Sequence, residues 1–318
     1  VEAIGTTRFE PGWHEGVEMS TYLADPAVSA SKLWKLHTET AAHLRHELLA
    51  GPRPSGAPQE LGNLLHTAVY EPDAFDDRYV ILGQCEGRKK DGDQCSYRGS
   101  IYRDGQSFCG THDPAKGEPE APGVYAVAGN LRDSALAMKE TLLAHPTARE
   151  LLKAPGPREI TVVWEDEATG LWCRIRPDHL IQDDPTVRPA FRKSEVNLKS
   201  TGLSAADEPF TKYAERLGFY FKAAFYRMGL AATEFWPHNQ YYPVVESTPP
   251  HEVIVYRLDE DALDIGENEV KAAMLRLAEC VRTGEWPGYG REVHHLTLPE
   301  WRLRQVQRIE SVGFAEAS

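Results

Sequence analysis

The 318-residue chain carries 35 Lys+Arg against 48 Asp+Glu, a formal net charge of −13. This length holds one large domain or two ordinary ones, and with 41% hydrophobic residues the core needs no disulfide framework. No stretch approaches the ~20 apolar residues of a membrane-spanning helix, and the acidic balance argues against non-specific coating of nucleic acid while leaving room for a basic channel.

The start, Val1-Glu2-Ala3, has no basic stretch leading into an apolar run, so a cytoplasmic protein is expected. Residues 1–27 read as irregular. Ser29 or Ser31 caps a helix running to about Leu49, ended by Gly51-Pro52-Arg53-Pro54-Ser55-Gly56. A second helix spans about Pro58 to Val69 and breaks at Glu71-Pro72; residues 79–82 read as a short strand. The spacing of Leu131, Ala135, Met138 and Leu142 predicts a helix over 129–153. Residues 159–164 and 171–176 are β-rich and flank the turn Glu167-Ala168-Thr169-Gly170, which reads as a hairpin. His179 continues the sheet, and 195–199 is another strand. A long helix over 206–230, strands over 231–245 and 251–258, and a helix over 262–283 follow. The tail from 305 is expected to fray. This order predicts an α/β domain with one sheet and flanking helices.

Five cysteines in a chain with no export signal argue against disulfides. Three of them cluster with a histidine as Cys85-x9-Cys95-x13-Cys109-x2-His112, the ligand set of a closed tetrahedral zinc site. Residues 83–123 are poor in aliphatics, so a structural Zn²⁺ would supply their folding energy. An iron–sulfur cluster is the alternative. Cys173 and Cys280 sit in apolar contexts and read as core residues.

The hairpin ends in Arg176-Pro177-Asp178, and Asn197-Leu198-Lys199 lies in a later strand. Strand alternation puts 197 and 199 on one face, where a carboxylate from a neighbouring strand can meet them. Hard oxygen ligands there would suit Mg²⁺ or Mn²⁺, and a lysine would offset phosphate charge. The residue types alone leave Asp178 open as a turn or cap residue and Lys199 open as a solvated strand lysine.

The run from Gly170 to Asp178, then Asn197-Leu198-Lys199-Ser200-Thr201, resembles the core of PD-(D/E)XK nucleases. More narrowly it resembles the exonuclease VIII (RecE-type) family of phage recombination exonucleases. The opening Ser29-Ala30-Ser31-Lys32-Leu33, the segment Gly62-x3-His66 ending in Glu71-Pro72, Lys222-x3-Tyr226 and Trp286-Pro287-Gly288-Tyr289 match that family in order. The resemblance implies a central mixed sheet flanked by helices, extended by the zinc-binding insertion. It divides the chain into 1–82, the insertion 83–123, the core 124–304 and the tail 305–318. It implies Asp178, Asn197, Glu159, His66 and the Leu198 carbonyl as metal ligands. Lys199, with Asp178, His66 and Glu159, would be catalytic. Arg174, Arg176, Lys222, Tyr226, Arg192 and Lys193 would contact DNA. The family expects Asp or Glu at 197 and Gln at 222, and this chain has Asn and Lys. The implied activity is Mg²⁺-dependent degradation of one strand of linear duplex DNA, 5′ to 3′, in a phage-type recombination system. The implied partners are DNA ends, a single-strand annealing protein (RecT-like) and further copies in a ring, a tetramer. An impaired DNA-end-binding protein and a nicking or repair endonuclease are the alternatives.

Overall fold

The structure, a computed structural model, describes residues 4–50, 57–116, 124–300, 302 and 304. The expected break at 51–56 and the frayed tail from 305 lie outside the described residues. In chain order the elements are β1 (Gly12–His14), α1 (Met19–Ala24), α2 (Ala30–Thr38), α3 (Ala41–Ala50), α4 (Ala57–Tyr70), α5 (Pro72–Arg78) and β2 (Tyr79–Ile81). The insertion adds β3 (Ile101–Arg103) and β4 (Gln106–Phe108). Then come β5 (Tyr125–Val127), α6 (Gly129–Ala144), α7 (Pro146–Lys153), β6 (Thr161–Asp166), β7 (Leu171–Ile175), β8 (His179–Ile181), β9 (Ser194–Val196) and β10 (Lys199–Thr201). The series ends with α8 (Asp207–Arg216), α9 (Phe219–Ala232), β11 (Asn239–Glu246), β12 (Val253–Arg257) and α10 (Glu260–Thr283). All lie in a unit running to Trp286; the described residues from Pro287 belong to a second unit.

Three expected helices are each two, and each break has a local cause. Thr40 receives the His43 N–H on its hydroxyl and starts α3. Pro146 cannot donate inside a helix, so it opens α7 at the first turn, with His145 capping the Ala148 N–H. Gly218 sits at φ +66 between α8 and α9, and a Cβ there would come within 2.5 Å of the Trp34 ring. Pro72 likewise starts α5 rather than ending structure. The expected strand from 231 belongs to α9 at its start. Within 1–27, β1 pairs with β6 and α1 is helical, both too short to leave a period in the sequence.

In place of the one sheet expected, two carry the core. β6 and β7 form the expected antiparallel hairpin, with β1 beside β6. The second sheet runs β10–β11–β9–β8, with β12 on the other edge of β11. Leu33, Phe221, Phe225 and Leu277 of α2, α9 and α10 pack with Trp164 and Cys173 of the hairpin. Leu64, Leu65, Met138 and Leu151 of α4, α6 and α7 pack with Val196 and Val245 of the second sheet. Each such fully buried side chain contributes about 1.5–3 kcal/mol. Cys173 and Cys280 are buried as expected.

Gly266 fixes how closely α10 approaches α9. A Cβ there would lie 2.7 Å from the Tyr220 carbonyl oxygen and 3.1 Å from the Ala224 Cβ. Backbone cannot swing aside as a side chain can. Gly266→Ala should therefore lose about 1–3 kcal/mol to overpacking, offset by at most ~1 kcal/mol of helix propensity. Urea unfolding with an unchanged slope checks this; a variant as stable as the parent would show that the helices can separate freely.

Candidate functional site

Asp178 immediately precedes β8, which runs antiparallel to β9 with His179 opposite Val196. Both β9 and β10 pair in parallel with β11, Ser194 opposite Asn239 and Lys199 opposite Val244, in one register. The single strand expected over 195–199 is therefore interrupted at 197–198 with no residue inserted. The interruption frees the Leu198 backbone for other partners. Its N–H donates to Asp178 Oδ2 at 2.7 Å. Its carbonyl accepts from Lys199 Nζ at 3.0 Å and lies 3.0 Å from His66 Nε2. Lys199 Nζ also sits 3.5 Å from Asp178 Oδ2.

His66 comes from α4. Leu61, Leu64, Leu65, Ala68 and Val69 turn into the second core, and His66 is left half-buried toward Asp178, Nε2 to Oδ2 3.6 Å. Its Nδ1 lies 3.3 Å from Glu159 Oε1. Glu159 was expected in a strand, but it adopts φ +49, left-handed backbone in a non-glycine residue. Such strain costs about 1–3 kcal/mol and must be held by its surroundings. Here the Glu159 N–H donates to the Asp178 carbonyl at 3.1 Å, and Arg176 Nε donates to Glu159 Oε2 at 3.1 Å. One ligand atom from each of His66, Glu159 and Asp178 falls within a 4.8 Å group that could hold a metal ion. Two carboxylates, an imidazole and the adjacent carbonyl are a donor set suited to a hard or borderline divalent cation.

Charge within the site follows from these contacts. Burial works against the His66 imidazolium, but Asp178 and Glu159 outweigh it and raise His66 above its ordinary value. Burial likewise opposes the Glu159 carboxylate, and His66 and Arg176 outweigh it and hold Glu159 low. In the metal-free protein, His66 thus stabilises the fold below its unfolded value of 6.5, and this contribution is lost as pH rises through the raised folded value. A cation bound at Nε2 must displace that proton. Mn²⁺ affinity should fall as pH is lowered through the raised His66 range, and binding near neutrality should release protons. Calorimetry in buffers of different ionisation enthalpy measures this; an affinity flat across that range would exclude His66 as a ligand.

Ser31, Asn197, Lys199, Lys222 and Tyr226 line a small cavity of about 130 Å³. Lys222 and Tyr226 reach it one turn apart on α9. Burial, then the neighbouring Lys199, lower Lys222 to about 8. Asn197 turns its side-chain N–H toward Glu195, which is fully buried and pushed up to about 7 by that burial. The role of Ser31 in this wall was not legible, because a serine before a helix reads as a cap.

Arg174 is a correction. It is 2% exposed, donates to the carbonyls of Tyr22 and Ala27, and stacks on the Tyr22 ring 4.1 Å away. It ties α1 to β7 and is not available to DNA. Arg176 faces the site but is engaged by Glu159 and by the Val17 carbonyl at 2.7 Å. Arg192 closes its own loop through the carbonyls of Val187 and Pro185. Lys193 stands at the opposite end of β9 from Asn197.

The insertion gathers Cys85, Cys95, Cys109 and His112, all four ligand atoms within 4.8 Å of one another, so the cluster could hold zinc. Cys95 and Cys109 sulfurs stand 3.9 Å apart, and Cys109 Sγ is 3.3 Å from His112 Nδ1. Sulfurs on one tetrahedral zinc are about 3.8 Å apart. Burial opposes the Cys109 thiolate, yet the N–H groups of His112 and Thr111 and the contacts to Cys85 and His112 bring it down to about 6. A zinc held by all four would keep no open position for chemistry.

Among the described residues, no helix is long and apolar enough to cross a membrane. Residues 29–298 match the model of a family described as "PDDEXK-like domain of unknown function (DUF3799)". No curated protein matches the chain. The fold is similar to that of a crystal structure from Eubacterium rectale described as "Putative exonuclease". The TM-score is 0.51 and the identity 9%, over 86% of this chain and 91% of that one.

Proposed function

Because the chain belongs to the PDDEXK-like DUF3799 family, we propose that it is a metal-dependent deoxyribonuclease that degrades one strand of linear duplex DNA from its end. The observation that carries this is the convergence of Asp178, the Leu198 carbonyl and Lys199 at the interruption between β9 and β10, with His66 above them. Asp178, His66, Glu159, the Leu198 carbonyl and the Asn197 amide oxygen would hold Mg²⁺ or Mn²⁺. The ion would supply a water of lowered pKa and a Lewis acid for the phosphate. Lys199 places its ammonium within reach of that phosphate and offsets developing charge. Lys222 adds a second cation to the cavity wall and Ser31 offers a hydroxyl to the DNA backbone, while the Tyr226 hydroxyl donates to the Arg176 carbonyl at 3.4 Å and braces the wall.

Asn197 brings an oxygen but no charge, so this centre holds its cation more weakly than one with an Asp or Glu carboxylate at 197 beside Asp178 and Glu159. A Zn²⁺ at the Cys85 cluster would hold the insertion folded. The RecE-type resemblance extends the proposal to 5′-to-3′ polarity, 3′ single-stranded product, a strand-annealing partner and a tetrameric ring. Purified protein with Mg²⁺ should shorten linear duplex and leave closed circles of the same sequence intact. Nicking of the circles would favour an endonuclease, and end binding without cleavage would favour a scaffold that grips DNA ends.

A further inference from the structure

The buried Glu195 does not reach the candidate metal group, yet it is held with unusual completeness. Asn197 Nδ2 donates to its Oε1 at 2.6 Å, and Gln240 Nε2 donates to its Oε2 at 2.5 Å. The same Gln240 nitrogen donates to the Ala223 carbonyl at 3.0 Å. A backbone carbonyl can only accept, so it fixes which end of the Gln240 amide is the donor. Gln240 Oε1 is buried with no partner, so this amide is oriented for its donors alone. The direction then passes along the row. Gln240 donates to Glu195, Glu195 accepts again from Asn197, and the Asn197 amide is left with its oxygen turned away from Glu195. Asn197 lines the cavity beside Lys199, and among the described residues nothing donates to its Oδ1.

An unrestrained asparagine presents either end of its amide. A nitrogen facing a cation repels it, and an oxygen ligates it. We propose that Glu195 is a positioning residue, which through the row Ala223–Gln240–Glu195–Asn197 locks the Asn197 amide with its oxygen toward the metal. The proposal rests on the reading of Asn197 as a ligand. It also explains why Glu195 is an acid in a buried strand: its carboxylate accepts from both amides at once, whereas a glutamine would turn a donor toward one of two donors. Because Gln240 is anchored by Ala223, the conflict would fall on Asn197 and favour the flipped amide.

The test is Mn²⁺ titrated calorimetrically into the parent chain, Glu195→Gln, Asn197→Asp and the double variant. Ligand-orienting partners are worth about 10–100-fold in metal affinity. Glu195→Gln should therefore weaken Mn²⁺ binding at least about tenfold with Asn at 197. With Asp at 197 the same change should strengthen binding, because the new amide donates to the aspartate that Glu195 would repel. That reversal of sign is the signature of positioning. A purely structural Glu195 would shift both backgrounds the same way, and that result overturns the proposal while leaving the metal centre intact. Were Mn²⁺ binding lost in Asp178→Asn but unmoved by every change at 195 and 197, Asn197 would not be a ligand, and proposal and ligand reading would fall together. Absence of Mn²⁺ binding in the parent would remove the metal centre itself. If Glu195→Gln does not fold, Gln240→Met removes the anchor further from the site and should weaken binding in the same direction; unchanged affinity there also overturns the proposal.

Discussion

Asp178→Asn should abolish Mn²⁺ binding and reduce Mg²⁺-dependent cleavage of linear DNA by at least ~10²–10³-fold, the scale of losing one preorganised charge-stabilising group. Asp178 acts on three neighbours at once. Its Oδ2 accepts the Leu198 N–H and stands 3.6 Å from His66 Nε2 and 3.5 Å from Lys199 Nζ. The asparagine is the better variant than alanine. It can keep an acceptor for the Leu198 N–H, whereas alanine leaves a buried donor unpaired at about 1–3 kcal/mol. Cleavage and thermal stability measured together separate the two effects. An Asp178→Asn protein that folds and cuts like the parent would place the chemistry elsewhere.

The second large effect concerns the insertion. Purified protein should carry about one zinc per chain, and Cys95→Ser should lose it, while Cys280→Ser should retain it. Cys280 is buried in the first core, remote in sequence from the cluster. Without the metal, three thiols and a histidine within one 4.8 Å group have no reason to converge. The segment 83–116 should then exchange its backbone hydrogens rapidly while the sheets stay protected. Metal analysis and hydrogen exchange read this directly. A protein free of zinc, with Cys95→Ser equally protected in the insertion, would show that its short hairpin is self-sufficient.

Much of this arrangement was legible in the residues. The hairpin of β6 and β7 could be read because β-rich runs flank a Thr-Gly turn, and its end delivers Asp178. Cys85, Cys95, Cys109 and His112 declared themselves by ligand type alone, and the structure brings them together. The strand interruption at Asn197-Leu198 was not legible, because the side chains there still alternate. What changes is the partner of a backbone amide, and that depends on Asp178 arriving from another strand. Glu159 read as the first residue of a strand, since nothing local marks the left-handed backbone that Asp178 and Arg176 impose on it. Arg174 read as a DNA contact because arginines beside a nuclease motif suggest phosphate. Its burial is set by Tyr22 and Ala27, distant in sequence and within a stretch with no periodicity. The service of Glu195 to Asn197 is likewise a tertiary fact, since it needs Gln240 from β11 to complete it.

The central claim is that Asp178, His66 and the Leu198 carbonyl form one metal centre. Its most direct test is a crystal of this chain soaked in Mn²⁺ and measured at the manganese absorption edge. The account predicts an anomalous peak at about 2.1 Å from Asp178 Oδ2 and the Leu198 oxygen, within bonding reach of His66 Nε2. A crystal that binds Mn²⁺ only elsewhere, with His66 still closed against Leu198, would contradict it.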